Sequence, residues 1–210
     1  ELTSFFLEKN IKMLVIACNT ATAAVLDEIR NELSIPVIGV IYPGARAAIK
    51  TTKNYRVGII GTEGTIKSGA YEKALKALNS RLYIAGQACP KFVPLVESGE
   101  YDGEIAERIV VEALKPLQNQ NLDTLILGCT HYPLLEPLIQ QVMGENVNVI
   151  SSGDETAREI SAILQYNGIL ETNEDKSEHE FYTTGSRYIF SKIASQWLGE
   201  HIHNVKKIKL

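Results

Sequence analysis

The chain has 210 residues, of which 45% are hydrophobic and 22% charged, and it carries a formal net charge of −4. That length holds one large domain or two small ones, with enough apolar residues for a sizeable core. The negative balance offers no basic face to nucleic acid, and no apolar run approaches the roughly 18 residues of a membrane span, so neither is an expected partner.

Taken in chain order, "MLVIA" from Met13 reads as a strand, and "TAAVLDEIRNEL" from Thr22 as a helix with Ala24, Leu26, Ile29 and Leu33 near one face. "IPVIGVI", "YRVGIIG" and "LYIAG" read as further strands. "GEIAERIVVEALKPL" then reads as a helix with Ile105, Ile109, Ala113 and Leu114 together. "DTLILG" and "VNVIS" are again strands, followed by the helix "DETAREISAILQYNG". The charged stretch "ETNEDKSEHE" (Glu171 to Glu180) reads as a solvated loop leading to the strand "FYTT". The last helix, "SRYIFSKIASQWLG", places Ile189, Phe190, Ile193, Ala194, Trp197 and Leu198 at helical spacing. Near-continuous apolar strands joined by helices predict an α/β fold with largely parallel sheets covered on both faces.

One unit recurs. Cys18 laid on Cys129, 111 residues later, puts "LVIACNT" on "LILGCTH" and aligns the helix and strand that follow. Two related α/β halves are the simplest account. Both thiols fall at the carboxyl end of a strand, where open α/β sheets bind ligands. A helix start after each would supply N–H groups and a dipole that lower a thiol pKa towards neutrality. Asn19-Thr20 and Thr130-His131 follow at once and suit a carboxylate. A free cysteine more often simply packs, but two at equivalent strand ends favour chemistry. Facing one cleft, such a pair could remove a proton from one side of a carbon and return one on the other, inverting it. A thiol hydrolase has no use for the second thiol.

Cys89, followed by Pro90 and Pro94 in what reads as an irregular loop, reads as structural. Three cysteines with no C-x-x-C argue against a disulfide framework and for a reducing, cytoplasmic compartment. Cys129 and His131 have no second Cys/His pair to complete a zinc site, so no metal is expected. "GIIGTEGTIKSGAY" fits neither G-x-G-x-x-G nor G-x-x-x-x-G-K-[ST]. Its Thr62 and Thr65 are spaced either to hydrogen-bond a small anion or to cap the next helix. His131 reads as a proton partner of Cys129. His179, His201 and His203 read as surface residues, and Glu97 as a surface or capping residue rather than one lining a cleft.

"ACNTATA", "IPVIGVIYPGARAA", "VGIIGTEGTIKSGAY", "ACPKFVPLVESGE" and "LGCTHYPLL", in this order between Leu14 and Leu135, resemble the motif series of the bacterial glutamate racemase family. "FYTTGS" before the closing helix resembles the family's C-terminal part. The resemblance implies cofactor-independent, two-thiol interconversion of L- and D-glutamate, supplying D-glutamate for peptidoglycan. It implies Cys18 and Cys129 as the acid/base pair with His131 assisting Cys129, and Asn19, Thr20, Thr62, Thr65, Thr130 and His131 as substrate contacts. It further implies two pseudo-symmetric domains with the site in the cleft between them, residues 1–41 with 152–210 forming one and 42–151 the other, and a family range that includes homodimers.

One departure counts. The family begins with a strand and an Asp-Ser pair, followed by a Pro-Tyr-Gly contact, and neither is here; Tyr42-Pro43-Gly44 lies after the first Cys block. No signal peptide is visible, and the chain opens "ELTSFFLEKN" without Met. About a fifth of a family member is therefore expected to be missing, leaving this chain impaired. The alternatives are an aspartate or other amino-acid racemase of the same superfamily, or a non-catalytic dicarboxylate-binding protein.

Overall fold

Every strand pairing among the described residues is parallel, as buried apolar runs joined by helices require. The computed structural model describes residues 1–172 and 179–209. In chain order the elements begin α1 (Leu2–Leu7), β1 (Leu14–Ile16), α2 (Asn19–Glu32), β2 (Val37–Gly39), α3 (Ile41–Thr51) and β3 (Arg56–Gly61). They continue with α4 (Glu63–Lys67), α5 (Ala70–Leu78), β4 (Tyr83–Ala88), α6 (Phe92–Ser98), α7 (Gly103–Leu114) and β5 (Thr124–Gly128). A 3₁₀ turn (Tyr132–Leu135) leads to α8 (Glu136–Met143), β6 (Asn148–Ser151), α9 (Gly153–Tyr166), β7 (Phe181–Thr183), α10 (Arg187–Leu198) and β8 (Val205–Lys207). Within the loop expected at Glu171 to Glu180, residues 173–178 lie outside the described residues.

The chain divides into two compact units, Glu1–Lys12 with Leu170–Leu210, and Met13–Ile169. The smaller unit holds the β7–β8 pair. In it Phe5 packs edge-on against Tyr182 at 4.9 Å, and Ser195 Oγ accepts from the Ile202 amide. The larger unit holds the β1–β2 pair and a four-stranded sheet in the order β4-β3-β5-β6. The recurring strand–helix–strand unit is present twice there: β1–α2–β2, and β5 through α8 to β6, each with its two strands adjacent and parallel.

Side chains of β3 and β5 alternate between the two faces of the sheet. Val57, Ile59 and Ile126 face a cluster made with Ile41, Ala45 and Ala48 of α3 and Tyr71, Ala74 and Leu75 of α5. Ile60, Leu125 and Leu127, at alternate positions, are also buried, so both faces of β3 and β5 are covered. Helix α3 is tied to α9 by ion pairs of Arg46 with Glu159 and Lys50 with Glu155. Helix α2 is fixed by Thr22, whose hydroxyl donates to the Ile16 carbonyl at 2.8 Å and accepts from the Val40 amide at 3.4 Å.

Several helix faces differ from the sequence expectation. Ala24 is exposed, and α2 buries Asn19, Thr22 and Leu26 instead, because its N-terminal turn carries a buried polar face. In α7 the buried stripe is Ala106, Val110 and Leu114, while Ile105 is 55% exposed. The helical spacing from Ala106 through Val110 and Leu114 continues just past the helix to Leu117, a longer stripe than the Ile105 face offers. The loop expected after Cys89 is short, because Pro94 sits in the first turn of α6, where its missing N–H has no partner to lose. On α10, Phe190, Ile193 and Trp197 are half-buried, whereas Ile189 and Leu198 are exposed.

The edge of the four-stranded sheet opposite the thiols is knotted by Asp123. Its carboxylate accepts from Thr52 Oγ1 (2.6 Å), the amides of Lys53 (2.6 Å) and Asn54 (2.7 Å), and Thr124 Oγ1 (3.0 Å). Partial burial works to raise its pKa, but the hydrogen bonds outweigh it and hold the carboxyl below its usual value. A depressed folded pKa contributes stability above the unfolded carboxylate value of about 3.9, lost as pH falls through the lower folded value. Asp123→Ala is expected to lower unfolding free energy by about 2 kcal/mol at neutral pH, with the difference shrinking in acid, as read by urea titration at several pH values.

Candidate active site

Strand register sets the site. Gly61 at the end of β3 pairs with Gly128 at the end of β5, so the segments beginning at Thr62 and Cys129 leave the sheet side by side. Gly128 is required there: a Cβ on it would lie 2.7 Å from the Ile60 carbonyl and 3.2 Å from the Tyr71 ring. On the other side, β1 ends at Ile16 and Cys18 caps α2, its Sγ accepting from the Ala21 amide at 3.5 Å.

Two clusters form. In the first, the hydroxyls of Thr20, Thr62 and Thr65 close a triangle of 2.7, 3.0 and 3.1 Å that joins α2 to the start of α4. Thr62 caps that five-residue helix by accepting from the Thr65 amide. Of the two roles open to this pair, capping is therefore visible in the geometry, and Thr65 is fully buried.

In the second cluster, Cys129 Sγ lies 3.8 Å from His131 Nδ1, and His131 Nε2 lies 3.0 Å from Glu97 Oε1. Thr130 Oγ1 is 3.5 Å from the same Nδ1. With Nε2–H donating to Glu97, the neutral ring presents the Nδ1 lone pair to the thiol. Glu97, read from sequence as a surface or capping residue, is thus the outer member of a thiol–imidazole–carboxylate chain. Its only sequence signal was a charge at the end of the apolar helix "FVPLVES".

Asn19, Cys129, Thr130 and Ser152 line one cavity of about 300 Å³, closed on its apolar side by Val15 and Ile160. Cys18 is exposed, between Ala17 and Asn19, which line that cavity. Charge on Cys18 reaches Cys129. Burial is the largest influence on Cys129 and raises its pKa; the amides of His131 and Tyr132 pull it down, and charge on Cys18 and on Glu97 pushes it up, for a net rise. This reverses the expected lowering. Cys129 is not at an α-helix start: a 3₁₀ turn containing Pro133 comes before α8, so two local amides act there in place of an aligned dipole. Cys89 behaves as expected of a packing residue: it is 1% exposed, and burial pushes its thiol up to about 12. His179, His201 and His203 are exposed, as read from sequence.

No helix among the described residues is long and apolar enough to cross a membrane. The Asp/Glu/hydantoin racemase family matches residues 3–160. A glutamate racemase of Bacillus cereus is 59% identical over the whole of this chain and 78% of that protein. The crystal structure of a glutamate racemase isoform from Bacillus anthracis superposes with a TM-score of 0.94 at 51% identity, covering 99% of this chain and 78% of that one. The Francisella tularensis glutamate racemase, solved with D-glutamate, gives 0.90 at 29% identity over 98% of this chain and 76% of that one. Paired strand-end thiols, parallel sheets and a match over three quarters of the sequence agree, and the chain belongs to the Asp/Glu/hydantoin racemase family.

Proposed function

We propose that this protein is a glutamate racemase, an isomerase that interconverts L- and D-glutamate without a cofactor and supplies D-glutamate for peptidoglycan from the cytoplasm. The observation that carries the reading is the pairing of Cys18 and Cys129 at equivalent strand ends of one compact unit, near enough for charge on one to act on the other. The identity of 59% to a protein named glutamate racemase supports the substrate. We place residues 1–41 with 152–210 in one pseudo-symmetric half and 42–151 in the other.

In this reading the thiolate of one cysteine takes the α-proton, and its electron pair delocalises towards the substrate carboxylate. The thiol of the other protonates the opposite face. One turnover leaves the thiolate and the thiol exchanged, so atoms and charge balance. Cys129, buried and raised, rests as the thiol and is a loaded acid. To serve as base it passes its proton to His131 Nδ1, with Glu97 holding the imidazolium that forms. Asn19, Thr20 and Thr130 offer donors to the substrate, with Thr62 and Thr65 setting the position of Thr20.

The test is incubation with L-glutamate, and separately L-aspartate, in deuterated water. Expected are α-deuteration and loss of optical rotation with glutamate. Exchange with aspartate alone would reassign the substrate, and binding of glutamate without exchange would make the protein a dicarboxylate binder.

A further inference from the structure

Asn19 carries a side-chain amide, and an amide can turn either its NH₂ or its oxygen towards a ligand. Only the NH₂ suits a carboxylate; the oxygen repels it. Something must decide. Tyr71, on α5 and 52 residues away in sequence, donates its hydroxyl to Asn19 Oδ1 at 2.7 Å. Among the described residues Asn19 Nδ2 donates to no protein acceptor, and no buried side-chain nitrogen or oxygen lacks a partner, so Nδ2 opens to the cavity that Asn19 lines with Cys129 and Thr130.

The tyrosine is built into place. Its residue is 3% exposed, within the cluster of α3, α5, β3 and β5. Gly44 and Gly128 form the slot: a Cβ on Gly44 would lie 3.0 Å from the Tyr71 oxygen and 3.2 Å from Ser152 Cβ, and one on Gly128 would lie 3.2 Å from the ring. Burial first, and then charge on Cys129, raises the phenol pKa, so the hydroxyl stays neutral and remains a donor when the thiol ionises.

We propose that Tyr71 is a positioning residue of the substrate site: packed in a slot between Gly44 and Gly128, it fixes the Asn19 amide with its NH₂ facing the substrate carboxylate. This rests on the reading of the chain as a glutamate racemase. Tyr71 does not touch the reacting atoms and acts through Asn19 alone, so its effect belongs to binding and disappears when Asn19 is removed.

The experiment is a double-mutant cycle on L-glutamate racemisation with the unaltered chain, Tyr71→Phe, Asn19→Ala and the pair. Tyr71→Phe is expected to raise KM about fivefold to tenfold with kcat within about twofold, the size of one neutral hydrogen bond. In the Asn19→Ala background it is expected to add nothing. An unchanged KM in Tyr71→Phe, or the same increment in both backgrounds, overturns the proposal, because a purely structural tyrosine would act whether or not Asn19 is present. If Tyr71→Phe does not fold, Gly44→Ala, whose methyl would crowd the Tyr71 oxygen, enters the same cycle, with an expected KM rise of about twofold that again vanishes without Asn19. An unaltered chain that neither racemises glutamate nor exchanges its α-proton defeats the racemase reading and this proposal with it. An active chain with independent effects defeats the proposal alone.

Discussion

Cys129→Ala is expected to lower kcat/KM for glutamate racemisation by about 10³-fold or more, in both directions, with little change in melting temperature. Loss of a positioned general acid or base costs about 10²–10⁴-fold. In the proposed mechanism one sulfur is an acid for one enantiomer and a base for the other, so neither direction escapes. The two enantiomers have an equilibrium constant of one, which forces kcat/KM to fall equally for both. Cys18→Ala is expected to do the same. The two together should cost little more than either alone, because one missing partner already breaks the transfer. The side chain is small and one face of it opens on a cavity, so truncation leaves the fold in place. The measurement is racemisation by circular dichroism beside thermal unfolding. Independent, multiplicative losses would show that the two thiols do not serve one reaction.

His131→Asn is the second large effect, expected at about 10²-fold in kcat/KM near neutral pH. Burial raises the Cys129 thiol, and the imidazole 3.8 Å away is the group placed to accept its proton. Without it, Cys129 becomes a base only as solvent pH climbs towards its own raised pKa. The sign is therefore fixed: the variant should regain activity as pH rises, narrowing its gap to the unaltered enzyme. Glu97→Gln should give the same profile with a smaller loss, since it removes the carboxylate 3.0 Å from Nε2 and leaves the ring. A variant whose deficit stays constant across pH would mean that His131 binds substrate rather than moving the thiol's proton.

The strands were legible because their apolar runs are short, bounded by turn residues and buried on both faces; β3 and β5 were expected and lie where expected. Helix faces were less so. In α7 two apolar stripes one residue apart compete, and packing against α8, α6 and β4 selects the one through Ala106 and Val110. The thiol pair was legible from a repeated local pattern, because a strand end followed by polar cap residues is written in consecutive positions.

What the sequence determined by itself was the class of fold, the two cysteines and their flanking donors, since each depends on residues adjacent along the chain. What only the tertiary structure decided was who meets whom: Glu97 with His131 across 34 residues, Tyr71 with Asn19 across 52, Thr20 with Thr62 across 42. It also decided the direction in which Cys129 titrates. Those outcomes come from strand order, register and burial, which bring distant segments to one sheet edge and remove water from around them. No local pattern encodes either the neighbour or the dielectric it will find there.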